Sequence, residues 1–166
     1  MTKPIIAPAF CQVAWVVRDI AATEDFFIET MGISRFMHMD NLAATDTEGT
    51  YMGKPGNWVY HLHIAYAGNT QIELIQPVSG ASMFQESLDR HGDAVQHVAY
   101  WLDDADYDAA AAHLESSGYR QIQSFRLPIL RVGYYDTRRA IGVVTEIVGS
   151  GKEGHELRRN LQAGKF

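Results

Sequence analysis

Four side chains carry the chemistry this chain could do: Gln12, Glu73, His97 and Glu146. One amide oxygen, one imidazole and two carboxylates make a hard to borderline donor set. It suits Zn²⁺, Ni²⁺, Co²⁺, Mn²⁺ or Fe²⁺ in octahedral geometry, with positions left for water or for two substrate oxygens. Two carboxylates neutralise the dication, so a bound carbonyl compound can pass through an enediolate or enolate whose new charge rests on the metal. Glu146 is then the ligand that loosens to act as base beside a carbonyl, and His61 or water returns the proton on the other face. His63 is the alternative to Gln12 in the metal shell. Taken singly, each donor has an ordinary explanation, because a strand Gln is usually hydrogen-bonded and a lone buried His is usually a satisfied core group. Their spacing sets these four apart.

The segments Gln12-Val13-Ala14-Trp15-Val16-Val17-Arg18-Asp19 and His97-Val98-Ala99-Tyr100-Trp101-Leu102-Asp103-Asp104 echo each other 85 positions apart. Asp19 leads into a helical pattern ending at Gly32, and Asp104 caps another ending at Gly118. Each half closes on a strand carrying a glutamate, Glu73 in one and Glu146 in the other. Such a duplication places one donor at each module's start and one at its end, around a single pseudo-twofold axis. Strands are expected at 11–17, 33–39, 58–66 and 70–76, then at 94–101, 119–126, 130–136 and 143–148. A short helix precedes Gly92, and the charged tail 152–166 is expected to form a terminal helix. Residues 40–57, rich in turn formers, are expected to be a mobile loop over the site. Alternation sets His61 and His63 on one face of their strand and Gln71 and Glu73 together on theirs. The order is βαβββ twice, an α+β fold whose two modules, 10–78 and 92–150, form one domain with the tail 151–166.

The composition narrows the function. With 166 residues and 46% apolar side chains the chain can build one real core. Its 14 basic against 20 acidic residues, a net charge of −6, argue against a nucleic-acid partner. The single Cys11 excludes an intramolecular disulfide. Residues 1–10 do not read as a signal segment and no apolar run is long enough to span a bilayer, so a cytoplasmic protein with no membrane partner is expected.

The repeated order, with donors on the first and fourth strand of each half, resembles the vicinal oxygen chelate superfamily of glyoxalase I, methylmalonyl-CoA epimerase, extradiol dioxygenases and antibiotic resistance proteins. The resemblance covers nearly the whole chain. It implies a cupped mixed sheet around a divalent metal, with Gln12, Glu73, His97 and Glu146 on the four ligand positions, and a homodimer. The Gln, Glu, His, Glu order is similar to eukaryotic glyoxalase I. Thr70-Gln71-Ile72-Glu73-Leu74-Ile75-Gln76-Pro77 and His91-Gly92-Asp93-Ala94-Val95-Gln96-His97-Val98-Ala99 resemble the epimerase branch instead. Two departures matter. Glyoxalase I holds the glutathione carboxylate with an Arg four residues after its Gln ligand, where this chain has Val16; epimerases use a Glu base on the strand where this chain offers His61.

A metal-dependent isomerase, epimerase or lyase of a small carbonyl compound is therefore the expected activity. His63, Tyr135, Trp101 and Arg131 are candidate pocket residues, with Arg126, Arg138 and Arg139 as further candidates for holding an anionic substrate arm. The first alternative is an extradiol-type ring-cleaving dioxygenase, which needs two His and one carboxylate and so would draw on His61 or His63. The second is a non-catalytic small-molecule binding protein, favoured by the many aromatic residues.

Overall fold

The structure, a computed structural model, describes residues 6–166; residues 1–5, which belong to the segment read above as not a signal, lie outside that range. In chain order it runs through β1 (Phe10–Val16), α1 (Ile20–Asp25), β2 (Met37–Ala43), β3 (Thr50–Tyr51), β4 (Lys54–Pro55), β5 (Val59–Ala67), β6 (Thr70–Ser79) and α2 (Met83–His91). The second half holds β7 (Ala94–Asp103), α3 (Asp104–Ser116), β8 (Gln121–Leu127), β9 (Leu130–Tyr135), α4 (Arg138–Ile141), β10 (Val144–Ser150) and α5 (Lys152–Gln162).

All ten strands join one mixed sheet in the order β2-β5-β6-β1-β7-β10-β9-β8-β3-β4. The duplication is visible in the pairing. In each half the first strand runs parallel to the last, β1 with β6 and β7 with β10, while β1 and β7 meet antiparallel at the centre. The sheet is strongly curled. Its concave side holds the largest core cluster, from Trp58, Tyr60 and Leu62 through Trp101 to Val132, Tyr134 and Val148. The convex side is covered by α1 over Val17, Ile33, Ile72 and Leu74, and by α3, which packs Tyr107 and Ala110 on Leu102, Tyr135 and Ile147.

Local chemistry explains the helices. The Asp19 carboxylate accepts from the Ala22 N–H at 3.0 Å, the N-cap bond the sequence suggests. The helix widens into a π-type turn over Phe26–Thr30 before Gly32, at φ +79°, ends it. Asp104 is not a cap. It is the first residue of α3, and its carboxylate receives the Arg131 guanidinium at 2.8 Å.

Two segments differ from expectation. The strand expected at 33–39 begins only at Met37, because Ile33 and Phe36 are pulled into the cluster beneath α1. Residues 40–57 are not a free loop either. They contain the hairpin β3–β4, and β3 pairs with β8 of the other half, Thr50 opposite Ser124 and Tyr51 opposite Gln123. Trp58 anchors this crossing: its indole N–H donates to the Thr50 carbonyl, and a Cβ at Gly49 would stand 2.4 Å from the Trp58 ring. Finally, α5 closes the mouth of the cup with Leu157 and Leu161. No helix among the described residues is long and apolar enough to cross a membrane.

Candidate functional site

Four strands meet where the two halves join, and their pairing decides which side chains share the concave face. Gln12 stands beside Gln71 and Ala99, Ala14 beside Glu73 and His97, and Ala99 beside Glu146. Residues paired across strands project to the same face, so the donors of all four strands point into the cup. The small Ala14 and Ala99, both fully buried, leave room between them. The four polar side chains converge in that room.

The Gln12 amide nitrogen lies 2.8 Å from Glu73 Oε2, 3.0 Å from Glu146 Oε2 and 3.1 Å from His97 Nε2. His97 Nε2 is itself 3.2 Å from Glu73 Oε2 and 3.0 Å from Glu146 Oε2. None of the four residues is more than 6% exposed. A second layer orients them. The Gln71 amide donates to Gln12 Oε1 at 2.6 Å while its own oxygen accepts from the Tyr66 hydroxyl at 3.1 Å, and His97 Nδ1 donates to Gln96 Oε1 at 2.7 Å. That last bond leaves Nε2 as the nitrogen facing the carboxylates.

Electrostatics reflect the crowding. Burial alone would lower the His97 imidazole, but hydrogen bonds and attraction to Glu146 and Glu73 outweigh it and push it up to about 9. Burial also raises the Glu73 carboxyl, opposed by its bond to His97. The phenols of Tyr134 and Tyr60 are held well above their usual range, first by burial and then by the same two carboxylates. The Tyr60 hydroxyl has no hydrogen-bond partner among the described residues. Burial likewise pushes the Cys11 thiol up to about 12, which makes it a small packed side chain and not a nucleophile.

Gln12, Glu73 and Glu146 form the polar floor of a cavity of about 110 Å³. Its walls are apolar: Met37 and Met39 of β2, Leu62 and Ile64 of β5, Trp101, Phe125, and the α5 side chains Leu157 and Leu161. An apolar protein cavity of about 150 Å³ holds a benzene ring, so the space suits a short acyl chain or one small ring. No lysine or arginine among the described residues lines it.

Several expected site residues lie elsewhere. Ile64, which stands opposite Glu73, faces the cup, so His61 and His63 project from the other side of β5. There His63 meets Glu24 of α1 at 2.5 Å, and His61 meets Asp40. Neither can reach the quartet, which removes the proton-return role expected of His61, the pocket role of His63 and its place as an alternative to Gln12. Tyr135 packs beneath α3 for the same reason of strand parity, while its neighbour Tyr134 faces the cup. Arg131 is bound to Asp104 and Asp108 and stacks on Tyr107, away from the cavity. Arg138 is bound to Asp136 and Glu86, and Arg126 lies 4.0 Å from Glu48. Of the four expected pocket residues only Trp101 lines it. Gln96 is the supporting residue that sequence alone offers no reason to expect; Gln71 shares the face of Glu73 as its alternation implies, and the parity of Tyr134 with Val132 distinguishes it from Tyr135.

Comparison with solved structures places the fold. Methylmalonyl-CoA epimerase from Mycobacterium tuberculosis superposes with a TM-score of 0.65 at 21% identity, covering 94% of this chain and 97% of that one. A hypothetical protein from Bacillus halodurans gives 0.63 at 16%, covering 86% and 94%. A Streptomyces coelicolor methylmalonyl-CoA epimerase variant with a bound 2-nitronate-propionyl-CoA gives 0.59 at 22%, covering 86% and 96%. No protein of curated function matches by sequence. The model of the glyoxalase/bleomycin resistance protein/dioxygenase superfamily matches residues 11–128, most of the cup, and the chain belongs to that superfamily.

Proposed function

We propose that the protein is a divalent-metal-dependent enzyme that moves a proton at a carbon beside a carbonyl group, as an isomerase, epimerase or lyase of a small substrate. The observation that carries this reading is the convergence of Gln12, Glu73, His97 and Glu146 on one buried point at the floor of an apolar cavity.

The donor set supports a cation there. Two buried carboxylates lie within hydrogen-bond reach of one imidazole nitrogen, which even when protonated cancels only one unit of charge, and no lysine or arginine pairs with either among the described residues. Gln12 turns its amide nitrogen to the centre, but an amide can rotate to exchange oxygen for nitrogen. If Gln12 and Gln71 rotate together, Gln12 Oε1 faces the centre, Gln12 donates to Gln71, and Gln71 donates to the Tyr66 hydroxyl. The Gln12–Gln71–Tyr66 bonds survive with their direction reversed, and the bonds from Gln12 to Glu73 and Glu146 are given up to the cation. A divalent cation held by these four residues would supply a Lewis acid for the negative charge that appears on the carbonyl oxygen when the neighbouring C–H loses its proton.

The remaining steps belong to the protein. Glu146 is assigned the role of proton acceptor; its carboxylate, like that of Glu73, lies at the cavity floor within reach of a bound substrate. The Tyr134 phenol faces the cup beside these carboxylates, and burial first, then the charge of Glu146, keeps it protonated at neutral pH. The apolar walls and α5 exclude water, which strengthens every charge interaction on the floor. The cavity selects a short apolar group, so a long anionic arm would lie outside the cup. Assembly as a homodimer belongs to the same proposal, supported by the exposed apolar side chains Phe10 and Val95 on the central strands, and is read by light scattering.

Deuterium exchange from solvent into the α-carbon of small acyl thioesters and α-hydroxy ketones tests the activity. Exchange should require a stoichiometric divalent ion, stop with chelator, and be absent in Glu146→Gln. Metal-independent exchange, or no ion bound at the quartet, refutes the reading; tight binding of an apolar ligand without turnover would make the protein a sequestering one. A ring-cleaving dioxygenase is disfavoured because the quartet holds a single histidine.

A further inference from the structure

On the convex side of the sheet, away from the quartet and its cavity, His38 of β2 stands directly opposite His63 of β5, and Glu24 of α1 lies over both. His38 Nε2 is 2.9 Å and His63 Nδ1 is 2.5 Å from the same oxygen, Glu24 Oε2. The two imidazole rings stack at 3.7 Å with a 12° tilt. Asp40, next on the same face of β2, approaches the far nitrogen of His63 at 3.5 Å and His61 Nδ1 at 3.0 Å. The result is a row in which imidazoles and carboxylates alternate: His38, Glu24, His63, Asp40, His61.

We propose that Glu24, His38 and His63 form a second divalent-cation site, separate from the quartet, that takes a Zn²⁺-like ion and ties α1 to the edge strands β2 and β5. Three observations carry it. The ligand atoms all lie within 4.8 Å of one another, a spread that small side-chain rotations close onto one ion with bonds of about 2 Å. Two imidazole nitrogens and a carboxylate are the ligand types that hold borderline dications with positions left for water. The site also has an orienting partner and a charge to neutralise. Asp40 faces the nitrogen of His63 that would not bind, as a carboxylate behind a ligating histidine does. Glu24, with 14% side-chain exposure, and Asp40 have no lysine or arginine partner among the described residues, so one dication balances the pair. His38, with 47% side-chain exposure, opens the site to solvent for entry.

Zn²⁺ titration of the chelator-stripped full chain, followed by calorimetry and metal analysis, tests this independently of the quartet. Wild type should bind two ions, Glu24→Gln/His38→Ala one, and Glu146→Gln should keep the outer ion. The outer affinity should fall at least 50-fold in the double variant, and the Zn²⁺-dependent rise in Tm should shrink. His38→Ala alone, at a half-exposed position, keeps the test open should the double variant not fold. Two ions retained in the outer variants, or a single ion in wild type that disappears with His97→Ala, overturns the proposal and leaves the row as a hydrogen-bonded cluster. A single ion lost with His38→Ala and untouched by His97→Ala would instead leave this site standing and remove the quartet reading.

Discussion

The concave and convex faces of this sheet each gather imidazoles and carboxylates, and the two gatherings differ in what surrounds them. Inside the cup, His97 is completely buried and held between two carboxylates at the joint of the two halves, where four strands position one donor each. Outside, His38, His63 and Glu24 sit where a helix crosses an edge pair of strands, and one histidine is half in water. Burial makes the inner charges expensive to leave uncompensated and strong when used on a substrate, whereas solvent screens the outer ones. The inner set is therefore the one suited to chemistry and the outer one to binding and bracing.

Substitutions can break that contrast, and the largest effect belongs to the inner carboxylate. Glu146→Gln should lower turnover by about 10³-fold, in the range of a lost general base, while Glu24→Gln leaves turnover within a factor of two or three. Equal losses in both would erase the distinction. The next effect is on stability. In the metal-free protein His97 holds its proton up to about pH 9 against 6.5 when unfolded, so the folded state binds more protons between those values. Its contribution is complete below pH 6.5 and fades as pH rises to 9, worth roughly 3 kcal/mol in denaturant titrations with chelator present. His97→Gln should flatten that window, and a wild-type curve already flat there would contradict the charge arrangement.

Smaller effects probe what supports the floor. Leu161→Ala empties a buried position at the cup mouth and should cost about 2–3 kcal/mol in unfolding free energy while admitting bulkier acyl groups, seen as a changed KM order across a substrate series. Gln71→Leu removes the partner that orients Gln12 and should weaken metal binding at the quartet by about 10–100-fold, with the outer ion unaffected. The smallest is Arg131→Ala. It severs two surface ion pairs beneath α3, so stability should fall by about 1 kcal/mol and turnover should not change. A loss of turnover would return Arg131 to the substrate site from which its geometry removes it.

Much of this architecture was legible in the chain. The echo of residues 12–19 in 97–104 announces the duplicated module, and Glu73 and Glu146 stand at matching ends of it. The pairing of β1 with β7 explains why that echo brings the quartet together: duplicated units meeting about a twofold axis put equivalent positions on one face. Strand alternation also correctly kept His61 and His63 together. It could not say which side of the sheet they shared, because His63 is as buried beneath α1 as a cup residue would be. Residues 40–57 were misread for a related reason. Their Gly and Pro content marks turns, but the crossing to β8 depends on a partner some 70 residues away and on Trp58 filling the space at Gly49.

Local order alone determined the two βαβββ units, the cap that starts α1, and the choice of Gln12, Glu73, His97 and Glu146 as candidates, since these depend on periodicity and on residue type. Only the tertiary structure decided which face of each strand became the inside of the cup, that α5 closes its mouth, and that two separate clusters of histidine and carboxylate exist. Period-two alternation distinguishes the two faces of a strand but cannot name them; curvature, and the side on which each helix packs, do that.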